Sequence, residues 1–141
     1  MKNIIIFLDT NIIIDYLQNR EPFAEYVNAI FKLCADKKIS AYISAQSIAN
    51  IFYIFRKDYT VDERKLLLLG FCKMVNIVGI DKTIIINSLK DENFTDFEDC
   101  IQAECAITAK AEYIITRNAK HFYESAVKPV LPEDFLKVIA E

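Results

Sequence analysis

Glycine and histidine are the scarce residues in this chain of 141 residues. Its two glycines, Gly70 and Gly79, stand apart from each other. P-loops and G-x-G-x-x-G turns need several glycines in one tight turn so that backbone N–H groups can cradle phosphate, and both are excluded. His121 is the single histidine, and the four cysteines (Cys34, Cys72, Cys100, Cys105) show no C-x-x-C spacing. That argues against a tetrahedral zinc site and for thiols serving as small buried apolar groups in a reducing cytosol. No G-x-S-x-G turn occurs, nor a Cys–His pairing with a third residue to orient it, so covalent acyl transfer has little support. Long apolar runs are missing too. The one at Ile4–Leu8 stops at Asp9, too short for a signal-peptide core and far short of a membrane span. The expectation is a cytoplasmic protein with no membrane attachment. A basic surplus is also absent, with 17 Lys and Arg against 20 Asp and Glu, a net charge of −3. Nucleic-acid binders usually carry such a surplus. An acidic site that divalent cations fill would leave the same balance, so charge leaves the partner open.

What is present is a normal globular composition, 53% hydrophobic and 26% charged, with no tract of disorder and no internal repeat. A chain of this length buries about 68–70% of its unfolded surface, enough for one domain spanning residues 1–141 without disulfide or structural metal. Short β-branched runs predict strands at 4–8, 41–44, 75–80, 113–116 and 127–131. Helical periodicity predicts helices over 22–36, with Pro22 in the first turn, and over 45–57. Further helices follow the capping box that begins at Thr60, follow Asp81, begin at a second capping box formed by Thr95 and Glu98, and open at Pro132. Strands alternating with helices imply an α/β fold of three layers, α/β/α, around a mostly parallel sheet of about five strands.

In open α/β sheets ligands bind beyond the carboxyl ends of the strands. The polar residues there are Asp9, Thr10 and Asn11 after the first strand, Ser44 after the second, and Thr116, Arg117 and Asn118 after the fourth. Asp96 and Asp99 stand at the start of a helix, three residues apart and so on one side of it. All converge if the first and fourth strands are neighbours. Each has a structural reading beside the functional one. Asp9, between two apolar runs, either caps the helix beginning near Asn11 or binds a cation. Asp96 and Asp99 either favour the helix macrodipole or ligate, and Asp99 shares a face with the small residues Ala103 and Ala106. Asn118 either closes a turn or offers its amide to a water. Asp15 is expected to pair with a nearby Arg or Lys, whereas Tyr53, Arg56 and Lys57 end a helix where they could touch phosphates. Carboxylates without clustered His or Cys suit Mg²⁺ or Mn²⁺, the metals of phosphoryl hydrolysis.

Three stretches carry a resemblance. Residues 6–17, with Asp9-Thr10-Asn11 and Asp15, are similar to the opening of the PIN-domain family, as in the toxin ribonucleases of bacterial VapBC-type pairs. Residues 43–53, with Ser44, Ser47, Asn50 and Tyr53, continue it. It is most specific in Asp96-Phe97-Glu98-Asp99-Cys100-Ile101-Gln102 and in Thr116-Arg117-Asn118 through Phe122, and 131–136 also fits. The resemblance implies a metal-dependent nuclease site of three or four acids. Asp9 matches the first metal ligand, Asp96 and Asp99 the late acids, and Asn118 the place of the last aspartate in many members. Asn11 and Thr116 match residues that buttress the site. The chain departs from the pattern at the second acidic position, usually Glu, which is Asn50 here, and His121 replaces an Asp of many relatives. No Asp or Glu occurs between Asp36 and Asp58 to take the place of that Glu. A site with three carboxylates and two amides is expected to bind metal more weakly than one with four acids.

The function so implied is a Mg²⁺- or Mn²⁺-dependent endoribonuclease hydrolysing RNA phosphodiester bonds, the toxin of a toxin–antitoxin pair, with an antitoxin protein as partner and a homodimer as its common state. The alternative is a catalytically weak or inactive module of the same fold that binds RNA or a protein. A phosphatase or phosphoacceptor built on Asp9 ranks lower, because Thr116-Arg117-Asn118 stands where receiver domains usually place a late lysine.

Overall fold

Five consecutive apolar residues form strand β1 (Ile4–Leu8), which lies in the middle of the sheet. Side chains alternate across a strand, so Ile6 and Leu8 enter one core and Phe7 the other, all three fully buried. A strand covered on both faces needs no polar alternation, which is why it reads as an unbroken apolar run. The computed structural model describes residues 3–140. Within them, β1 is joined by β2 (Ile39–Ser44), β3 (Asn76–Val78), β4 (Tyr113–Ile115) and β5 (Lys128–Val130). The order is β3-β2-β1-β4-β5 and every pair is parallel, with Ile6 opposite both Ala41 and Tyr113.

Helices cover both faces. One core takes Ile12 from α1 (Thr10–Leu17), Val27 from α2 (Ala24–Ala35), Ile51 from α3 (Ala45–Ile54), Leu68 from α4 (Val61–Cys72) and Phe135 from α7 (Pro132–Ala140). The opposite core takes Ile84 from α5 (Lys82–Lys90), Ile101, Ala103 and Ala106 from α6 (Phe97–Thr108), and Phe122 from a short 3₁₀ turn. The three-layer α/β/α expectation holds.

Differences lie at element ends. The strands expected over 75–80 and 127–131 shorten to three residues each. The helix expected from Pro22 starts at Ala24, and the one expected to reach Lys57 ends at Ile54 and closes in a 3₁₀ turn, Phe55–Lys57. The capping box at Thr60 and Glu63 forms in full. The one expected at Thr95 and Glu98 does not. Asp96 is the N-cap of α6 and accepts the Asp99 N–H at 3.0 Å. Thr95 and Asp96 are both good caps, and with Asp96 chosen Glu98 falls one place short of the box position. That shift leaves Glu98 exposed in the first turn of α6 beside Asp99.

The pairing expected for Asp15 is made with Arg117, which follows Thr116 in the loop after β4. Arg117 Nε donates to Asp15 Oδ2 at 2.6 Å and Nη2 to Oδ1 at 3.3 Å, and the guanidinium lies 4.2 Å from the Phe23 ring centroid. Asp15 has no exposure at all. A buried carboxylate that loses its cation is left uncompensated, which typically costs about 3–5 kcal/mol, whereas removing both charges together is nearly neutral. Arg117→Met is therefore expected to destabilise the fold by about that amount, and adding Asp15→Leu to restore most of it. Urea denaturation of the two variants checks this.

Candidate active site

The strand order turns back between β1 and β4, since β2 and β3 extend one side of β1 while β4 and β5 extend the other. The chain leaving β1 enters one core through α1, and the chain leaving β4 enters the opposite core through Phe122. Two neighbouring strands whose continuations part in this way leave a crevice beyond their carboxyl ends. Asp9 is the residue after β1 and Thr116 the residue after β4, so both stand at its floor.

Asp9 is only 8% exposed, and both of its oxygens are occupied. Thr116 Oγ1 donates to Oδ2 at 2.8 Å, and the Thr10 N–H donates to Oδ1 at 2.8 Å. Longer contacts come from Asn11 Nδ2 at 3.4 Å and Gln102 Nε2 at 3.5 Å. Thr116 Oγ1 in turn accepts the Asn118 N–H at 3.0 Å. Asp9 does occupy the N-cap position of α1. Its partner there is the next residue's N–H rather than one two or three places on, the usual cap geometry. Its other donors include tertiary ones from α6 and the β4 loop. Burial pushes the Asp9 carboxyl up from its ordinary range, and the bonds from Thr116, Thr10 and Gln102 pull it back.

Above Asp9 opens a cleft of about 510 Å³, bordered by Asn11, Gln46, Asn50, Tyr53, Glu98, Asp99, Gln102 and Asn118. The structure thus brings together Asp9, Asp99, Asn11, Asn50 and Asn118 from the sequence expectation, with Thr116 fully buried behind Asp9. Asp96 is not on this wall. Its carboxylate is engaged at the helix cap and borders a neighbouring hollow of about 390 Å³ with Lys120, His121 and Glu124. Asp99 borders both spaces, and His121 Nδ1 lies 3.5 Å from its Oδ2. Tyr53 is exposed on the cleft wall with the Arg56 guanidinium 3.8 Å from its ring centroid.

Sequence reasoning gives no site role to Glu98, Gln46, Ser47 or Gln102. Glu98 reads as part of a cap that it does not make. Gln102 carries a usable signal, a polar residue within the apolar face that holds Ile101, Ala103 and Ala106 of α6.

Among the described residues, no three His, Cys, Asp or Glu side chains form a ready-made cation cage. Mg²⁺ seldom needs one, because it keeps several waters and uses one or two carboxylates together with substrate phosphate. Asp9 and Asp99 supply the carboxylates. Asn11 Oδ1 and Gln46 Oε1 are buried oxygens without a hydrogen-bond partner on residues bordering the cleft. This all-oxygen set with unspent acceptors fits Mg²⁺ or Mn²⁺ and would suit no soft metal.

Burial, helped by the nearby carboxylates of Asp96 and Asp9, pushes the Asp99 carboxyl from 3.8 up to about 6, against a lowering pull from His121. A carboxyl raised in this way binds more protons folded than unfolded, so its contribution to stability is present at low pH and is lost as pH rises from about 4 to about 6. In a chelator, stability is expected to fall across that window by about 1–2 kcal/mol once screening at this partly exposed site is allowed for, with the melting temperature falling alongside. Asp99→Asn is expected to flatten the slope, and Mn²⁺ added at pH 7 to reverse the fall. Thermal melts from pH 4 to pH 7 read both.

A sequence model of the PIN domain matches residues 5–120. Ribonuclease VapC1 of Aquifex aeolicus (strain VF5) is 25% identical over 138 residues, 92% of each chain. Among solved structures, DNA-bound VapBC from Salmonella typhimurium superposes with a TM-score of 0.68 at 18% identity, over 92% of this chain and 98% of the other. A toxin–antitoxin complex from Klebsiella pneumoniae gives 0.67 at 23% identity, over 89% and 96%. At such identities the structural likeness speaks for the fold. The match over residues 5–120 takes in β1 from Ile5 on, the switch point, Asp9, Asp99 and Asn118, and with it this chain belongs to the PIN-domain family.

Proposed function

We propose that this chain is an endoribonuclease that depends on Mg²⁺ or Mn²⁺, working in the cytosol as the toxin of a toxin–antitoxin pair. The observation that carries the reading is the placement of Asp9 and Asp99 on one cleft at the switch point of the sheet, within the span matched to the PIN domain. The similarity to a ribonuclease over 92% of the chain supports RNA as substrate, and the solved complexes of the same fold support an antitoxin as protein partner.

Asp9 and Asp99 would hold the cation, with Asn11 and Asn50 offering neutral oxygens beside them. When bound, such a cation lowers the pKa of water toward neutrality and offsets charge developing on the phosphoryl group. The protein's own part is positional. Thr116 and the Thr10 N–H hold the Asp9 carboxylate in one orientation and favour its ionised form. Asn118, fixed through its N–H to Thr116, presents an amide to the same cleft, where it can bond a phosphate oxygen or a 2′-hydroxyl. Asp96 stands one turn back at the cap of α6 and adds negative potential next to Asp99 without bordering the cleft. Asn50 is what favours the second reading, a module that keeps the fold and binds RNA or protein with little or no cleavage, because an amide on that wall adds no charge to attract a cation.

Cleavage of a mixed-sequence RNA at millimolar Mn²⁺ separates the two. The nuclease is expected to cut, and Asp9→Asn to slow cutting by about 10²–10³-fold, the scale for losing one preorganised electrostatic group, with folding intact. A well-folded chain that binds RNA yet leaves it uncut at every Mn²⁺ concentration is the binding module. Asn50→Glu is expected to tighten Mn²⁺ binding about tenfold, equivalent to about 1.4 kcal/mol, as read by calorimetry.

A further inference from the structure

Gln102 is the polar side chain most deeply set against the candidate site from α6, 6% exposed. Its Nε2 donates to Thr10 Oγ1 at 3.0 Å and to Ser47 Oγ at 3.1 Å, and approaches Asp9 Oδ1 at 3.5 Å. Those partners come from three places, Thr10 from the start of α1, Ser47 from the first turn of α3 and Asp9 from the end of β1. Gln102 thus ties α6 to the opposite face of the sheet at the point where the strand order reverses. It lies one turn after Asp99 on the same helix, and residues three apart share a helix face.

Stability alone does not account for this residue. The Thr10 and Ser47 hydroxyls already bond each other at 2.7 Å, and the Ser47 N–H is satisfied by Ser44 Oγ at 3.2 Å. Removing the amide strands neither hydroxyl. Its Oε1 meanwhile is buried with no hydrogen-bond partner, a standing cost that an apolar side chain of equal length would not carry. What the amide adds to the packing of Ala103 and Ala106 is a polar link from α6, which carries Asp99, to the β1–α1 junction, which carries Asp9.

We propose that Gln102 is a positioning residue that fixes the separation of the Asp9 and Asp99 carboxylates for a divalent cation. The proposal rests on the metal-dependent reading above. It gives the chain a means of compensating for the neutral Asn50: with fewer carboxylates, those present have to be held closer to their bound arrangement, because each must do more. Groups that hold metal ligands without touching the metal typically contribute between about ten- and hundredfold in affinity.

The test is Mn²⁺ binding, followed by calorimetry and by the electron paramagnetic resonance signal of free Mn²⁺, beside melting temperatures in a chelator. Gln102→Met keeps the length and removes both the donor and the orphaned oxygen. It is expected to weaken Mn²⁺ binding by about ten- to a hundredfold while the metal-free melting temperature stays level or rises. Gln102→Asn, one methylene short of Ser47, keeps the polarity and is expected to lose affinity likewise, which covers the case of a Met variant that does not fold. Unchanged Mn²⁺ affinity in either folded variant overturns the proposal. So does a melting temperature that falls along with affinity in both, which would make Gln102 a structural tie alone. Failure of the unsubstituted protein to bind Mn²⁺ overturns the metal reading itself, a different result from binding that survives the loss of Gln102.

Discussion

The carboxylate of Asp9 stands at the end of a strand buried on both faces, and much of the architecture around it serves to hold it there. Charge in such a place is costly unless hydrogen bonds or a cation meet it. Two strong donors, the Thr116 hydroxyl and the Thr10 N–H, meet it directly. The Thr10 N–H is local, whereas the Thr116 hydroxyl reaches Asp9 because β1 and β4 are adjacent and parallel, with Leu8 opposite Ile115. The β1–β4 pairing therefore does two things at once. It completes the sheet and it brings a hydroxyl from residue 116 against a carboxylate at residue 9.

The second carboxylate arrives by another route. Asp99 is carried by α6, which packs on the face of the sheet opposite α1 and α3. Its place relative to Asp9 depends on how α6 seats on the sheet, through the small side chains Ala103 and Ala106 and the amide of Gln102 reaching across to Thr10 and Ser47. Burial and neighbouring acids keep the Asp99 carboxyl at about 6. Once ionised, Asp99 adds its charge beside those of Asp96 and Glu98, with His121 opposing them. The buried Asp15–Arg117 pair serves the same region from below, anchoring α1 to the loop that holds Thr116 and Asn118.

An amide at Asn50 shifts the balance of such a site from charge toward geometry. A carboxylate attracts a cation from a distance and tolerates some misplacement, whereas an amide oxygen contributes only when it is already in place. The unpaired oxygens of Asn11 and Gln46 belong to the same pattern, acceptors held in a buried setting at some cost.

Much of this was legible in the chain itself. The apolar run ending at Asp9, the caps at Thr60 and Asp81, and the alternation of β-branched runs with helical periods follow from local preferences, and the resulting elements match within a few residues. The family followed from residue order around Asp9, Asp99 and Thr116-Arg117-Asn118, matched over residues 5–120. Only the tertiary structure decided which acids share a wall. Asp96 and Asp99 fall on one side of a helical wheel, yet with Asp96 as cap its carboxylate borders only the neighbouring hollow, while Glu98 and Asp99 reach the cleft. Likewise, the partners of Gln102 lie 55 to 93 residues away in the chain. Local propensity acts over a turn or two of helix, while a hydrogen bond across such separations exists only once the sheet order has been set.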